Sequence, residues 1–222
     1  MNWLERHITL QDYDDRKAEI ENAVTHFLGS ALSVAGLILI LTHLDRAKDS
    51  SLRFGLIIFA LTNILLYTAS GLYHILPRSN AKRICRILDH SNIYFLIAGT
   101  YTPLLLYVGS PICRALTVFM WIVALLGVGF TLVFWGRVKP LHPILYLLMG
   151  WTIVFFWGDV IPYLPAGLLW YLVAGGLFYS VGVIFYACKK LPHYHAIWHL
   201  FVLAGSVCFY TGIYGKLLLF PL

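Results

Sequence analysis

Residues 54–76 read FGLIIFALTNILLYTASGLYHIL and contain no Asp, Glu, Lys or Arg. A helix needs about 20 apolar residues to cross the hydrocarbon core of a bilayer, so this stretch is long enough to span one. Its apolar residues run continuously instead of alternating with polar ones, which excludes the strand pattern of a membrane barrel. Because lipid offers no water to the backbone polar groups, the stretch predicts a transmembrane α-helix.

The rest of the chain shares this apolar character. It has 222 residues, of which 60% are hydrophobic and 12% charged, whereas a soluble domain typically carries about 25% charged residues. We predict an all-α, seven-helix transmembrane domain over residues 23–222, preceded by a short cytoplasmic segment, residues 1–22. This leaves no room for a large soluble catalytic domain. Apolar windows between Gly, Pro and charged breakers give the seven spans: residues 23–43, 54–76, 89–108, 112–135, 141–157, 164–188 and 194–218.

The basic residues predict the orientation of these spans. If the N-terminus is cytoplasmic, eleven of the sixteen Lys and Arg residues fall on the inner side and five on the outer side. The positive-inside rule therefore favours a cytoplasmic N-terminus and an outer C-terminus. The net charge of +6 reflects these loops, since eight of the ten acidic residues lie within residues 1–49. The pattern is typical of a membrane topology signal, and we expect no nucleic-acid partner.

Two histidines at the start of the seventh span carry the strongest local signal. His195 and His199 are four residues apart and share one helix face, so both rings can reach one ion. Taken alone, the pair is equally consistent with two interfacial histidines beside Trp198.

A third histidine ends the second span. Ser70 and His74 are also four apart, and in the predicted topology this end lies on the inner side, at the depth of His195 and His199. Three neutral imidazoles and one water form the open tetrahedral shell of a catalytic zinc ion. The sequence therefore predicts Zn²⁺ bound by His74, His195 and His199.

Asp89 and Ser70 are the candidate catalytic residues. Asp89 opens the third span on the same side, where an acid is costly unless it is paired or functional. Beside a metal it can hold or deprotonate a water, and Ser70 can orient that water or contact a substrate carbonyl. The alternatives are that Asp89 caps the helix and pairs with Arg83 or Arg86, and that Ser70 bonds to the carbonyl four residues earlier.

A supporting polar cluster lies where the first span begins. Glu19, Asn22 and His26 recur about one helical turn apart and face the bundle from the inner side. They can cap helices, close the site from below or orient a ligand. We expect them to support the site, because the three histidines named above already complete a catalytic shell.

These motifs, taken together, resemble the hemolysin III branch of the progestin and adipoQ receptor family. The resemblance covers nearly the whole chain, with every motif in order. The matching stretches are Glu19-x2-Asn22-x3-His26, Ser70-x3-His74, Leu88-Asp89-His90-Ser91-Asn92-Ile93, Ala98-Gly99-Thr100-Tyr101-Thr102-Pro103 and His195-x3-His199.

The resemblance implies a seven-helix membrane protein with a cytoplasmic N-terminus. It implies zinc near the cytoplasmic face at His74, His195 and His199, with Asp89 and Ser70 holding the metal-bound water or its surroundings. The short N-terminus and the lack of an extra domain resemble the bacterial members, so we expect a multi-pass protein of a bacterial plasma membrane. Family members are described as receptors, as ceramidase-like hydrolases and, in this branch, as haemolytic or lipid-homeostasis proteins.

Three functions follow as hypotheses. The first is a zinc-dependent hydrolase of a membrane lipid amide or ester, with the lipid entering sideways and Asp89 acting as base and then proton donor. The second is a non-enzymatic membrane sensor or lipid-homeostasis factor, in which the zinc mainly clamps helices two, three and seven and a lipid is the ligand. The third, a pore-forming haemolysin, is weaker because the spans carry too few charged residues to line an aqueous conduit.

Overall fold

The computed structural model describes residues 3–10, 16–137 and 141–220, and this part of the chain contains helices and no strand. Short 3₁₀ segments cover Leu44–Arg46, Trp151–Phe156 and Ile161–Tyr163, and a π-helical turn covers Tyr214–Leu219. The nine α-helices in these described ranges are α1 (Trp3–His7), α2 (Arg16–Thr42), α3 (Ser50–Ile75), α4 (Asn80–Val108), α5 (Pro111–Val133), α6 (Leu141–Gly150), α7 (Trp157–Val160), α8 (Leu168–Ala187) and α9 (Tyr194–Ile213).

Short polar side chains start three of the long helices. The carboxylate of Asp49 accepts a hydrogen bond from the Leu52 backbone N–H at the start of α3. The hydroxyls of Ser79 and Ser110 do the same at the starts of α4 and α5. Each cap satisfies a backbone donor that the first helical turn leaves unpaired. Local sequence therefore determines where these helices begin.

Six helical segments are long and apolar enough to cross a membrane within the described part of the chain. They are Arg16–Thr42, Ser50–Ile75, Pro111–Val133, Leu141–Tyr163, Leu168–Ala187 and Tyr194–Leu219. The prediction of an all-α membrane protein is thus confirmed. The third predicted span, residues 89–108, falls within α4, which is 29 residues long but is not among the six.

Helices α2 and α4 begin earlier than the apolar windows indicated. The window for the first span started at residue 23, but α2 begins at Arg16; that for the third started at residue 89, but α4 begins at Asn80. The added turns of α4 are polar and pack against the N-terminal segment. Arg83 Nε donates to the carbonyl of Ile8 at 3.2 Å, and Arg86 donates to the carbonyl of Thr9. Basic residues of these turns are thus held by protein contacts.

The fifth predicted span is not one continuous α-helix. It consists of α6, the 3₁₀ segment Trp151–Phe156, α7 and the 3₁₀ segment Ile161–Tyr163. Gly150 and Pro162, two residues that weaken regular helices, lie at or near these junctions. Lys139 precedes this span and is one of the inner basic residues in the orientation count. It lies outside the described residues.

The end of α3 and the starts of α2, α4 and α9 meet at one end of the bundle. Helix α3 packs between α2 and α4, while α9 packs against α8 and α2. An apolar cluster that includes Leu56, Phe59 and Ile213 fills the opposite end. A smaller cluster of Leu66, Tyr67, Leu96 and Val202 separates it from the polar end.

Candidate metal centre

Three histidine side chains converge where α3 ends and α9 begins. His74 lies in the last turn of α3, and His195 and His199 lie in the first turns of α9. One nitrogen from each of the three rings lies within 4.8 Å of the other two. The residues are 0%, 8% and 2% exposed, respectively. These three histidines can therefore hold a metal ion.

Hydrogen bonds of two rings indicate which nitrogen faces the centre. His74 Nδ1 lies 2.8 Å from Glu19 Oε2, and His199 Nδ1 lies 3.2 Å from the backbone carbonyl of Asn22 and 3.0 Å from Thr25 Oγ1. A carboxylate and a carbonyl can only accept, so each Nδ1 carries the proton and donates it. Each Nε2 then keeps a lone pair, which is the form of imidazole that binds a metal.

His195 is fixed by the turn that precedes it. His193 caps α9 with a left-handed backbone, φ 57°. Its Nδ1 lies 2.5 Å from Glu21 Oε2 on α2. A positive φ is uncommon for a residue other than glycine and needs support from its surroundings. This contact supports the turn and anchors the start of α9 beside α2.

The predicted supporting cluster on α2 does surround the histidines. Glu19 and Asn22 contact His74 and His199 as described above. The ring of His26 stacks on that of His199, with centroids 3.5 Å apart, and meets the Tyr67 ring edge-on at 5.1 Å. His26 is 3% exposed, and neither ring nitrogen has a hydrogen-bond partner among the described residues.

Sequence reasoning missed Tyr67 and Thr25. Tyr67 is fully buried, and its hydroxyl donates to Ser206 Oγ at 2.7 Å on α9. It therefore links α3 to α9 next to the histidines. A polar residue one turn from Ser70 on the same face of α3 was the available signal for Tyr67. Thr25 carried no such signal, because threonine in a helix usually bonds its own backbone.

Sequence reasoning also missed Lys82. The orientation count included it only as one of the eleven inner Lys and Arg residues. Lys82 is 3% exposed, and its Nζ lies 2.8 Å from Glu19 Oε1. It also donates to the carbonyls of Leu76 at 3.1 Å and His74 at 3.4 Å. A cation at a membrane helix end needs a partner. The available signal was Glu19, an acid at the same end.

Asp89 and Ser70 lie beside the three histidines. The Asp89 side chain is 15% exposed, and its Oδ2 lies 3.5 Å from His90 Nδ1. Its carboxylate interacts electrostatically with His74 and lies near the hydroxyl of Ser70, which is fully buried. The alternative that Asp89 caps its helix is wrong, because Ser79 caps α4 ten residues earlier.

An apolar cavity of about 130 Å³ adjoins this polar end. Its lining includes Leu66, Ile93 and Val202. These residues lie about one helical turn from Ser70, Asp89 and His199, respectively. Tyr101 also lines the cavity, and its hydroxyl already donates a hydrogen bond to the carbonyl of Gly150 at 2.7 Å. The cavity is therefore suited to an apolar ligand.

Comparison with known proteins identifies one family model and several relatives that match this chain. A family model described as haemolysin-III related matches residues 15–210. Hemolysin-3 of Bacillus cereus is 39% identical over 191 residues, covering 86% of this chain and 87% of that protein. The hemolysin-3 homolog of Bacillus subtilis (strain 168) is 39% identical over 195 residues, covering 87% and 92%. Human monocyte to macrophage differentiation factor is 30% identical over 159 residues, covering 68% and 66%.

Proposed function

We propose, from the premise that this chain belongs to the haemolysin-III-related family of membrane proteins, that it is a zinc-dependent hydrolase of a membrane lipid amide or ester. The observation that carries the proposal is the convergence of three imidazole nitrogens beside a carboxylate, about one helical turn from residues that line an apolar cavity. A structural zinc site has four protein ligands, whereas three ligands leave a position for water and substrate.

Zinc is the metal that we propose for His74, His195 and His199. Neutral imidazole nitrogens suit zinc and several transition metals, whereas magnesium and calcium prefer oxygen. The hydrogen bond from His74 to Glu19 matches the carboxylate–histidine arrangement that orients zinc ligands. The donor set therefore fits the ion.

The surrounding residues divide the catalytic work. A bound zinc ion would supply Lewis-acid activation of the substrate carbonyl and of water. Asp89 takes the proton from the attacking water and returns it to the leaving amine or alcohol as the carbon–nitrogen or carbon–oxygen bond breaks. Ser70 orients the water or the carbonyl. The products are a fatty acid and the amine or alcohol that it had acylated.

The membrane arrangement is part of the proposal. We propose seven spans, with α4 as the additional one, and a cytoplasmic N-terminus. The excess of inner Lys and Arg residues supports this orientation. The site then lies near the cytoplasmic face of a bacterial plasma membrane, and bacterial relatives support that location. A lipid can enter the cavity sideways from the bilayer and present its carbonyl to the histidines.

The experiment is lipid hydrolysis by purified protein in the presence of zinc. Fatty acid release from amide- and ester-linked lipids is compared for wild type, Asp89→Asn, His195→Ala and the control Asp159→Asn. Asp159 is the other acid beyond the first loop and lies in α7. We expect Asp89→Asn to lower the rate about 10²- to 10⁴-fold and His195→Ala to abolish turnover, with the control unchanged. Equal rates in all four proteins would refute hydrolysis.

A second candidate function is a non-enzymatic membrane sensor or lipid-homeostasis factor. It is favoured by the position of the histidines on both α3 and α9, since an ion held there would clamp the two helices. In that case Asp89→Asn leaves cellular function intact, while His74→Ala lowers both the melting temperature and cellular function.

The relatives' name, hemolysin-3, favours a pore as a third candidate. Dye leakage from liposomes that persists in the His74→Ala variant would support the pore and oppose both zinc-based functions.

A further inference from the structure

Lys82 is a buried cation that lies on one helix and contacts two others. It lies in the first turn of α4, its Nζ pairs with Glu19 of α2, and it donates to carbonyls at the end of α3. An ammonium group has three N–H donors, and Glu19, Leu76 and His74 supply three acceptors. Its hydrogen-bonding capacity is therefore fully used at this one point.

The carboxylate of Glu19 divides its two oxygens between Lys82 and the metal centre. Oε1 lies 2.8 Å from Lys82 Nζ, and Oε2 lies 2.8 Å from His74 Nδ1. Because one oxygen is held by the ammonium, the other faces the imidazole. The Glu19 carboxylate thus bridges the Lys82 ammonium and the His74 ring.

Stability alone is a weak reason for such a pair. Buried ion pairs often stabilise a protein no better than apolar residues of the same volume, because both charges must leave water. Glu19 and Lys82 are 8% and 3% exposed. A role in orienting a neighbouring group explains why a lysine rather than a leucine occupies this position.

We propose that Lys82 is a positioning residue for the metal site, acting on the ligand His74 through Glu19. This inference rests on the proposed metal binding. Lys82 holds the carboxylate in the rotation that accepts the His74 Nδ1 proton, and the ring then presents Nε2 to the ion. The last turn of α3 is held at the same time through the carbonyls of His74 and Leu76.

A purely structural role predicts a different result. If Lys82 only satisfied the carbonyl groups at the end of α3, its loss would lower stability but leave the geometry of the metal ligands unchanged. If it acts through Glu19, its loss alters the ligand field of the ion. The two roles are separated by metal affinity and by the visible absorption of the Co²⁺-substituted protein, which reports on ligand geometry.

The experiment uses the full chain in detergent. Zinc affinity is measured by competition with a chelator, and Co²⁺ spectra are recorded, for wild type, Lys82→Met, Glu19→Gln and the double variant. Lys190→Met is the control, since Lys190 is an exposed lysine between α8 and α9. We expect Lys82→Met to weaken zinc binding about 10- to 100-fold and to change the Co²⁺ spectrum, with no effect of Lys190→Met.

The double variant tests the route through Glu19. Residues that act as one unit give non-additive effects, so Lys82→Met should add less than about twofold in the Glu19→Gln background. If Lys82→Met alone does not fold, the comparison of Glu19→Gln with the double variant still distinguishes the positioning role from the purely structural role. Wild-type affinity in Lys82→Met, or fully additive effects, would overturn the inference. Wild type that binds neither metal would overturn the proposed function as well.

Discussion

Gly55 on α3 lies against the backbone of α4, and its replacement by alanine tests this packing. A Cβ added at Gly55 would lie 2.8 Å from Pro103 Cα, 3.1 Å from Pro103 N and 3.3 Å from the carbonyl carbon of Thr102. All three atoms belong to the backbone, so no side-chain rotation can relieve the contact. Carbon atoms pack best at about 3.5–4.0 Å, and α3 and α4 must therefore separate by about 1 Å.

The cost follows from this displacement. Overpacking a well-packed core typically destabilises a protein by about 1–3 kcal/mol. For a chain of this size, 1 kcal/mol shifts the melting temperature by about 2–4 °C. We expect Gly55→Ala to lower the melting temperature by about 4–8 °C for a loss of about 2 kcal/mol.

Gly129→Ala is the matched control. Gly129 is an exposed position within α5, and an added Cβ meets nothing within 4 Å. Alanine there removes the helical cost of glycine, about 0.5–1 kcal/mol, and should raise the melting temperature slightly. The assay is thermal unfolding of both variants in the same detergent. A Gly55→Ala protein that melts at or above Gly129→Ala would refute the packing of α3 against α4.

Two further predictions concern the ion and the cavity. Zinc at 100 times its dissociation constant should stabilise the protein by about 2.7 kcal/mol. A chelator should therefore lower the melting temperature of wild type by about 5–10 °C without affecting His74→Ala; equal shifts in both would count against the site. Val183→Phe fills part of the cavity and should slow lipid hydrolysis at least about tenfold, which corresponds to a rise of about 1.4 kcal/mol in the activation free energy. Its zinc content should stay unchanged. Unchanged hydrolysis would exclude the cavity as the lipid site.

The grouping of the three histidines at one end of the bundle could be predicted from sequence because membrane topology restricts where residues can lie. His74 ends one span and His195 and His199 begin another, so an orientation based on Lys and Arg counts assigns all three to the same side. The structure brings one nitrogen of each ring within 4.8 Å of the others. Helical spacing likewise predicted that Glu19 and His26 share a face of α2.

The contacts behind the histidines could not be predicted in the same way. Lys82 lies in a polar turn that an apolar window excludes, so the window began the helix too late. Which acid Lys82 contacts depends on how α2, α3 and α4 pack, and hydropathy carries no information on that. The break in the fifth span was equally hidden, since Trp151–Phe156 is as apolar as a regular transmembrane helix.

The metal content of the purified protein shows directly whether the three histidines bind zinc. Wild type, Asp89→Asn, His74→Ala and His199→Ala are purified in parallel without chelators, and their metals are measured per chain by elemental analysis. We expect about one zinc ion per chain in wild type and in Asp89→Asn, and its loss in both histidine variants. Wild type without bound zinc, or equal zinc in all four proteins, would show that these histidines are not the zinc ligands.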